Sequence, residues 1–360
     1  MGMNLTEYMT ETIENIIQDA CKATLKNPKE SAFLLKFSLA AQSAANKRRA
    51  NEAAGDHIPP FLIASISSAC NLFCKGCYAR ANQSCGENCG AKDLTDEQWQ
   101  GIFEQAAELG IPFILLAGGE PLMRMDVLQK AASCRRIAFP VFTNGTMLNG
   151  AVFDLFERSR NLIPILSIEG GRQQTDSRRG SGVYEVLRST MRDLNRNGLF
   201  YGASVTVTTK NLSTITSPEF LDGLYQNGCK LVFFVEYVPV ENPNDVLTPG
   251  EKERTILAEK LKMLRQKYKM IFLSFPGDEK RLGGCLAAGR GFFHISSAGA
   301  AEPCPFSPYS DLNLKNCRLK EALRSPLFRR LNGDGILTRE HTGGCVLYQN
   351  RNEVRKLASE

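Results

Sequence analysis

Cys70-Asn71-Leu72-Phe73-Cys74-Lys75-Gly76-Cys77-Tyr78 sets three cysteines at C-x3-C-x2-C spacing. The run Phe61–Ser67 leads directly into it and reads as a strand. Three thiolates this close can wrap a loop around one metal centre. Zinc would want a fourth nearby ligand to close its tetrahedron. A [4Fe–4S] cube needs one ligand for each iron, so three cysteines leave one iron open to a substrate or cofactor. The triplet alone leaves both readings standing.

Outward from the triplet the pattern is rhythmic. Strand-like runs recur at Phe113–Ala117, Ala138–Thr143, Ile165–Ile168, Tyr201–Val207, Leu231–Val238 and Ile271–Phe275, with helical stretches between most of them. The clearest helix opens on a Thr95-x-x-Gln98 capping box and stops at Gly110. Val183–Asn197 before Gly198 and Phe220–Asn227 before Gly228 follow the same grammar, and another helix is expected over Lys252–Tyr268. Such βα units imply a parallel sheet with right-handed crossovers, as an open doubly wound sheet or a partial barrel. Residues 1–57 read as a helical segment in which Lys47-Arg48-Arg49 is a solvated face. The rhythm spans 58–276, and the composition shift after it marks a smaller module over 277–360.

The chain has 360 residues, 44 basic against 38 acidic side chains (net +6), and 43% hydrophobic content. These values exclude a wholly disordered or collagen-like chain, and a charge this thinly spread gives no reason to expect nucleic-acid binding. Twelve cysteines are the anomaly. The N-terminus lacks the layout of a secretory signal, and no apolar run reaches the ~18 residues of a spanning helix. The expectation is a cytoplasmic protein without a membrane span, whose thiols stay reduced and serve metal, cluster or redox chemistry. Cys21, Cys134 and Cys229 stand alone and read as small buried hydrophobes.

Polar and glycine residues mark the ends of the next three strands: Gly118-Gly119-Glu120-Pro121, Thr143-Asn144-Gly145 and Ser167-Ile168-Glu169-Gly170. Ligands of parallel α/β folds sit at the carboxyl ends of the strands. Paired glycines allow a close backbone approach, and a carboxylate accepts from an ammonium group. An ordinary strand-to-helix turn with Pro121 starting the helix is compatible with the same residues.

Cys70, Cys74 and Cys77, then Gly-Gly-Glu-Pro, Thr-Asn-Gly and Ser-Ile-Glu-Gly on successive strands, resemble the radical SAM superfamily over roughly residues 58–275. The resemblance implies an α/β fold, a partial (β/α)6 barrel. It implies a [4Fe–4S] cluster on the three cysteines, with S-adenosylmethionine chelated by the open iron and cleaved reductively to a 5′-deoxyadenosyl radical. Gly118, Gly119 and Glu120 would receive the methionine ammonium, with Pro121 shaping the turn. Ser167 and Glu169 would contact the ribose or carboxylate, and Thr143, Asn144, Thr206 and Thr208 would line the cavity. In that family the residue before the third cysteine is often an aromatic that packs on the adenine. Here it is Gly76, which leaves Tyr78 or Phe73 to supply the packing.

Cys285-x13-Gly299-x4-Cys304 resembles the opening of the SPASM or shorter twitch extension of these enzymes. That resemblance implies a small hairpin-plus-helix module with an auxiliary [4Fe–4S] cluster. Cys285, Cys304 and Cys345 would be its ligands and Cys317 the candidate fourth, with an open iron if Cys317 is not a ligand. A zinc-stabilised hairpin is the competing reading. One helix is expected over Leu319–Leu331. Cys85 and Cys89 either cap a further metal or form an exposed pair, and His57, His294 and His341 show no mutual ligand spacing. The expected function is a radical SAM enzyme acting on a peptide, a protein or a small-molecule cofactor precursor, with a reducing donor such as flavodoxin or ferredoxin. The alternative is a non-catalytic Fe–S or zinc redox or scaffold protein, which would have no use for the strand-end motifs.

Overall fold

A computed structural model describes residues 5–25, 27–86, 92–240, 246–275, 279–339 and 345–359, the side chains of 280 and 281 excepted. Cys89, His341 and the Thr342–Gly344 approach to Cys345 lie outside the described residues. Two helices, α1 (Leu5–Thr24) and α2 (Pro28–Ala53), come first. Seven parallel strands then follow in chain order: β1 (Phe61–Ser67), β2 (Phe113–Gly118), β3 (Phe139–Thr143), β4 (Leu162–Ser167), β5 (Gly202–Val207), β6 (Leu231–Glu236) and β7 (Ile271–Phe275). Between β1 and β2 lie α3 (Tyr78–Ala81) and α4 (Asp96–Leu109). α5 (Met125–Ser133) and α6 (Gly150–Arg158) follow β2 and β3, while α7 (Arg172–Arg179) and α8 (Val183–Arg196) follow β4. α9 (Leu212–Ile215) and α10 (Pro218–Gln226) follow β5, and α11 (Glu251–Lys267) follows β6. This is the expected partial (β/α) barrel, with β7 extending its six-strand run.

Local sequence explains most of these elements. In α4 the Thr95 side chain accepts from the Gln98 N–H at 3.2 Å and Gln98 accepts from the Thr95 N–H at 2.9 Å. Gly110, at φ +87°, ends the helix. Strand residues facing the helices are fully buried, among them Leu62, Ala64 and Ile66 on β1 and Val232 and Phe234 on β6. Their neighbours face inward, and Leu115, Phe142, Phe233 and Leu273 there are only half-buried. β4 starts three residues before the run that marked it, passing through Pro164. Its ladder with β5 begins only at Ile165 opposite Gly202, so the missing proline N–H interrupts no bond to that neighbour.

The N-terminal helices form the floor of the barrel. Ile13, Ile17, Ala20, Leu34, Phe37 and Ala41 pack on residues at and near the amino ends of the strands, including Phe113, Ala138, Leu231 and Ile271. The solvated face expected at Lys47–Arg49 is overturned for two of its members. Arg48 is buried and donates to the Gly110 carbonyl at 2.6 Å, and Lys47 donates to the Ala107 carbonyl at 3.1 Å. Two cations thus meet the carbonyl end of α4, where the helix dipole favours positive charge.

After β7 come β8 (His294–Ile295), β9 (Ala301–Glu302), α12 (Leu319–Ala322), α13 (Pro326–Gly333), α14 (Val346–Gln349) and α15 (Arg351–Ser359). β8 pairs parallel with the edge of β1, and β9 antiparallel with β8. The row is stapled by His294, whose ring bonds Ser65 Oγ at 2.8 Å and the Glu302 carboxylate at 2.7 Å. Phe292 stacks on Phe61 of β1 at 5.1 Å and meets Phe275 of β7 edge-on at 5.3 Å, bridging the lateral gap of the barrel. The single helix expected over Leu319–Leu331 is two. Ser325 caps α13 by accepting from the Phe328 N–H, and Pro326 cannot continue α12. No helix among the described residues is long and apolar enough to cross a membrane.

Candidate active site

The cysteine loop leaves β1 at the carboxyl edge of the sheet and returns at α3, whose N-cap is Cys77. Close backbone packing fixes its entry. The Gly119 N–H donates to the Ser67 carbonyl at 2.7 Å and the Glu120 N–H to the Ala69 carbonyl at 2.8 Å. A Cβ on Gly118 would stand 2.5 Å from the Ser67 oxygen, and one on Gly119 2.5 Å from the Ala69 carbonyl carbon. The paired glycines therefore seat the cysteine loop itself, a role nearer than ligand approach.

Glu120 is buried and holds three neutral donors: the Thr143 hydroxyl at 2.7 Å, the Asn144 N–H at 2.8 Å and the Leu122 N–H at 3.1 Å. Burial pushes its carboxyl up to about 7, against the pull of those bonds. Pro121 opens the short 3-10 turn that carries the Leu122 N–H. Asn144 also donates to Asn71 at 2.8 Å, tying the end of β3 to the cysteine loop.

Glu169, expected on the cofactor, gives its carboxylate to protein groups. Arg178 donates at 3.1 Å, Arg179 at 2.9 and 2.5 Å, and the Thr206 N–H at 3.2 Å. The same arginines reach the cysteines. Arg178 donates to the Lys75 carbonyl at 3.2 Å, and Arg179 is close enough to act as a charge on Cys74 and Cys77. Nothing in the sequence marked this Arg-Arg pair, which sits at the C-terminus of α7. Ser167 and Thr206 stand half-buried at the carboxyl ends of β4 and β5.

The aromatic expected near Gly76 comes from elsewhere. A Cβ on Gly76, at φ +64°, would lie 3.0 Å from the ring of Tyr237, so Tyr237 occupies that place. Phe73 is instead 76% exposed under the Arg80 guanidinium. Tyr78 turns the other way, edge-on to Phe306 at 5.1 Å. Its charged neighbours include Cys77 and Cys85 of one cysteine group and Cys304 of the other. Cys85 is buried, and its thiol donates to Cys70, which lowers the Cys70 thiol from its ordinary value.

The structure brings Cys285, Cys304 and Cys345 together. Burial raises all three thiols, and Cys285 and Cys304 are raised further by the neighbouring cysteines. Cys317 is not part of that group, its charged neighbours being Glu321 and Asp311. Glu279, which sequence reasoning passed over, is: the Cys285 thiol donates to its carboxylate.

A second carboxylate sits at the carboxyl end of β6. Glu236 is buried, and its Oε2 has no hydrogen-bond partner among the described residues. Burial raises it from 4.5 to about 7. A raised carboxyl favours the fold below pH 4.5, and that contribution is lost as pH rises through 7, at a cost of up to about 3 kcal/mol. Glu236→Gln should therefore raise the unfolding temperature of the apoprotein at pH 8 and leave it nearly unchanged at pH 4.5. An equal difference at both pH values would refute this origin.

A parallel partial barrel with cysteines, a paired-glycine turn and a buried glutamate at its carboxyl edge is the arrangement that the resemblance to radical SAM enzymes implies. Residues 64–216 match the Radical SAM superfamily model. It is similar to the AdoMet-dependent heme synthase of Methanosarcina barkeri, 26% identical over 300 residues, covering 76% of this chain and 84% of that protein. It is also similar to the PqqA peptide cyclase of Granulibacter bethesdensis, 25% identical over 259 residues and 68% of each chain. Among solved structures, Streptococcus suis SuiB bound to precursor peptide SuiA shares the fold, with TM-score 0.65 and 16% identity over 83% of this chain and 71% of that one.

The family works with a [4Fe–4S] cluster and S-adenosylmethionine, and the residues present suit that pair. Among the described residues no three histidine, cysteine or carboxylate side chains close on a point as around one metal ion. A cube spreads its ligands over separate irons, so its thiols need only share a loop. Glu120 fits an ammonium ligand: it is a buried carboxylate whose three hydrogen-bond donors are all neutral, and a cation would offset its burial.

Proposed function

We propose that this enzyme cleaves S-adenosylmethionine at a cluster held by Cys70, Cys74 and Cys77, and turns the radical on a cofactor precursor of the tetrapyrrole class, whose macrocycle is planar and apolar. When bound, the cluster supplies the electron for that cleavage. The protein's share is placement. Glu120 receives the methionine ammonium, kept in position by Thr143 and the Asn144 N–H. Arg178 and Arg179, held by Glu169, keep positive charge beside the thiolates of Cys74 and Cys77. Below the site, α1 and α2 close the floor and Phe292 the side, which keeps water from a reactive radical. A second cluster at Cys285, Cys304 and Cys345 serves electron transfer, and a small reducing protein such as a flavodoxin or ferredoxin feeds the enzyme.

The inner face of the barrel carries the substrate reading. Leu115, Phe142, Phe233 and Leu273 are half-buried there, with the Phe142 and Phe233 rings 5.1 Å apart. Such a surface suits the flat apolar ring of a tetrapyrrole better than an extended polar backbone. The likeness to a heme synthase over most of both chains points the same way. The test is titration of the anaerobically reconstituted enzyme with iron coproporphyrin III. The expected result is a Soret shift on binding and a rise in 5′-deoxyadenosine formation of about tenfold or more, with binding weakened in Phe233→Ala. No Soret shift and no rise would overturn the substrate class and return the peptide reading suggested by the PqqA peptide cyclase.

A further inference from the structure

The auxiliary cysteines have a fourth companion that the cysteine pattern could not show. Glu279 opens a short 3-10 turn, Glu279–Leu282, six positions before Cys285. The chain then doubles back: the Gly284 N–H donates to the Glu279 carbonyl at 2.9 Å. Gly284 has φ +114°, and a Cβ there would stand 2.9 Å from the Thr338 Cα. Only glycine fits this turn, which packs Cys285 against the Leu337 segment through a 2.8 Å bond from the Cys285 N–H to the Leu337 carbonyl. Arg290 fastens the turn from the other side, donating to the Cys285 carbonyl at 2.7 Å and the Leu282 carbonyl at 3.0 Å. The result brings the Glu279 carboxylate within hydrogen-bonding reach of the Cys285 thiol and near enough to Cys304 and Cys345 to act on both as a charge.

We infer that Glu279 is the fourth ligand of the auxiliary cluster, binding through a carboxylate oxygen the iron that Cys285, Cys304 and Cys345 leave free. The inference rests on the auxiliary cluster proposed above. A cube needs one ligand per iron, and the remaining cysteine of this region, Cys317, lies among Asp311 and Glu321 instead. Carboxylates are accepted iron ligands, harder than thiolates. Ligation replaces the hydrogen bond from the Cys285 thiol to the Glu279 carboxylate: the thiol proton leaves to solvent, and an Fe–S bond and an Fe–O bond take the place of that hydrogen bond. The auxiliary iron is then closed to substrate in the resting enzyme, unlike the open iron at the cysteine loop after β1.

The test isolates the auxiliary cluster in a full-length Cys70→Ala, Cys74→Ala, Cys77→Ala background, reconstituted anaerobically and read by iron and sulfide content and by electron paramagnetic resonance after reduction. The parent should hold about four irons per chain, with a spectrum that cyanide does not alter. Glu279→Ala should open one iron, so that cyanide shifts the spectrum. Glu279→Cys should keep the iron content, move the g values and restore indifference to cyanide, which also covers the case in which Glu279→Ala loses its iron. A parent spectrum already altered by cyanide, or one unchanged by both substitutions, overturns the ligand assignment and leaves the cluster standing. A parent without iron overturns the cluster, and the assignment with it.

Discussion

Cys70→Ala, Cys74→Ala and Cys77→Ala, combined, should abolish 5′-deoxyadenosine formation from S-adenosylmethionine and dithionite, with no residual slow rate. The three thiols are half-buried on a loop whose backbone is held by other groups: the Lys75 N–H on the Arg178 carbonyl at 2.9 Å, Arg80 on the Leu72 carbonyl at 2.7 Å, and Asn71 with Asn144 at 2.8 Å. Losing the sulfurs therefore removes the ligands without removing the fold, and unfolding temperature should move by only a few degrees. The iron that remains should be that of the second cluster proposed at Cys285, Cys304 and Cys345. Cleavage that survived the triple substitution would show that the cluster sits elsewhere.

Gly119→Ala should be almost as damaging, although it deletes nothing. Its methyl group would enter the Ala69 carbonyl, with the carbonyl carbon 2.5 Å away, about 1 Å inside ordinary contact. Backbone is on the receiving side, so residues 67–70 must shift and carry Cys70 with them. A displacement near 1 Å at a reacting centre costs on the order of 100-fold, and the clash itself about 1–3 kcal/mol of stability. Gly101→Ala is the control. Gly101 lies inside α4 with nothing within 4 Å of a new Cβ, so alanine should stabilise by about 0.5–1 kcal/mol and leave cleavage unchanged. Thermal unfolding and 5′-deoxyadenosine assays on the two variants separate the cases. A wild-type rate in Gly119→Ala would mean the loop entry is not held as described.

Most of the barrel was legible because its signals are short-range. A capping box closes over four residues, as at Thr95–Gln98, and strand patterning needs only a few. Pro164 hid the start of β4, although β3 already pairs there and the proline interrupts no bond to β5, which joins one residue later. Ser325-Pro326 split a helix that apolar spacing alone ran together. The basic run at 47–49 carried a charge signal but no address, and the carbonyls of α4 it serves are some sixty positions away.

The candidate site divides along the same line. Cys70, Cys74 and Cys77, the Gly-Gly-Glu-Pro turn and the carboxyl edge on which they stand were determined by the sequence alone, because loop-sized spacing fixes what one turn of chain can bring together. Only the tertiary structure decided the rest. It gave Glu169 to Arg178 and Arg179, put Tyr237 in the place beside Gly76, set Glu279 rather than Cys317 with the auxiliary cysteines, and laid α1 and α2 beneath the strands. Those neighbours are distant in the chain and meet only because parallel βα packing gathers every strand's carboxyl end at one edge. Which side chains share that edge is set by register, turn geometry and close backbone contact, and none of these is written in residue spacing.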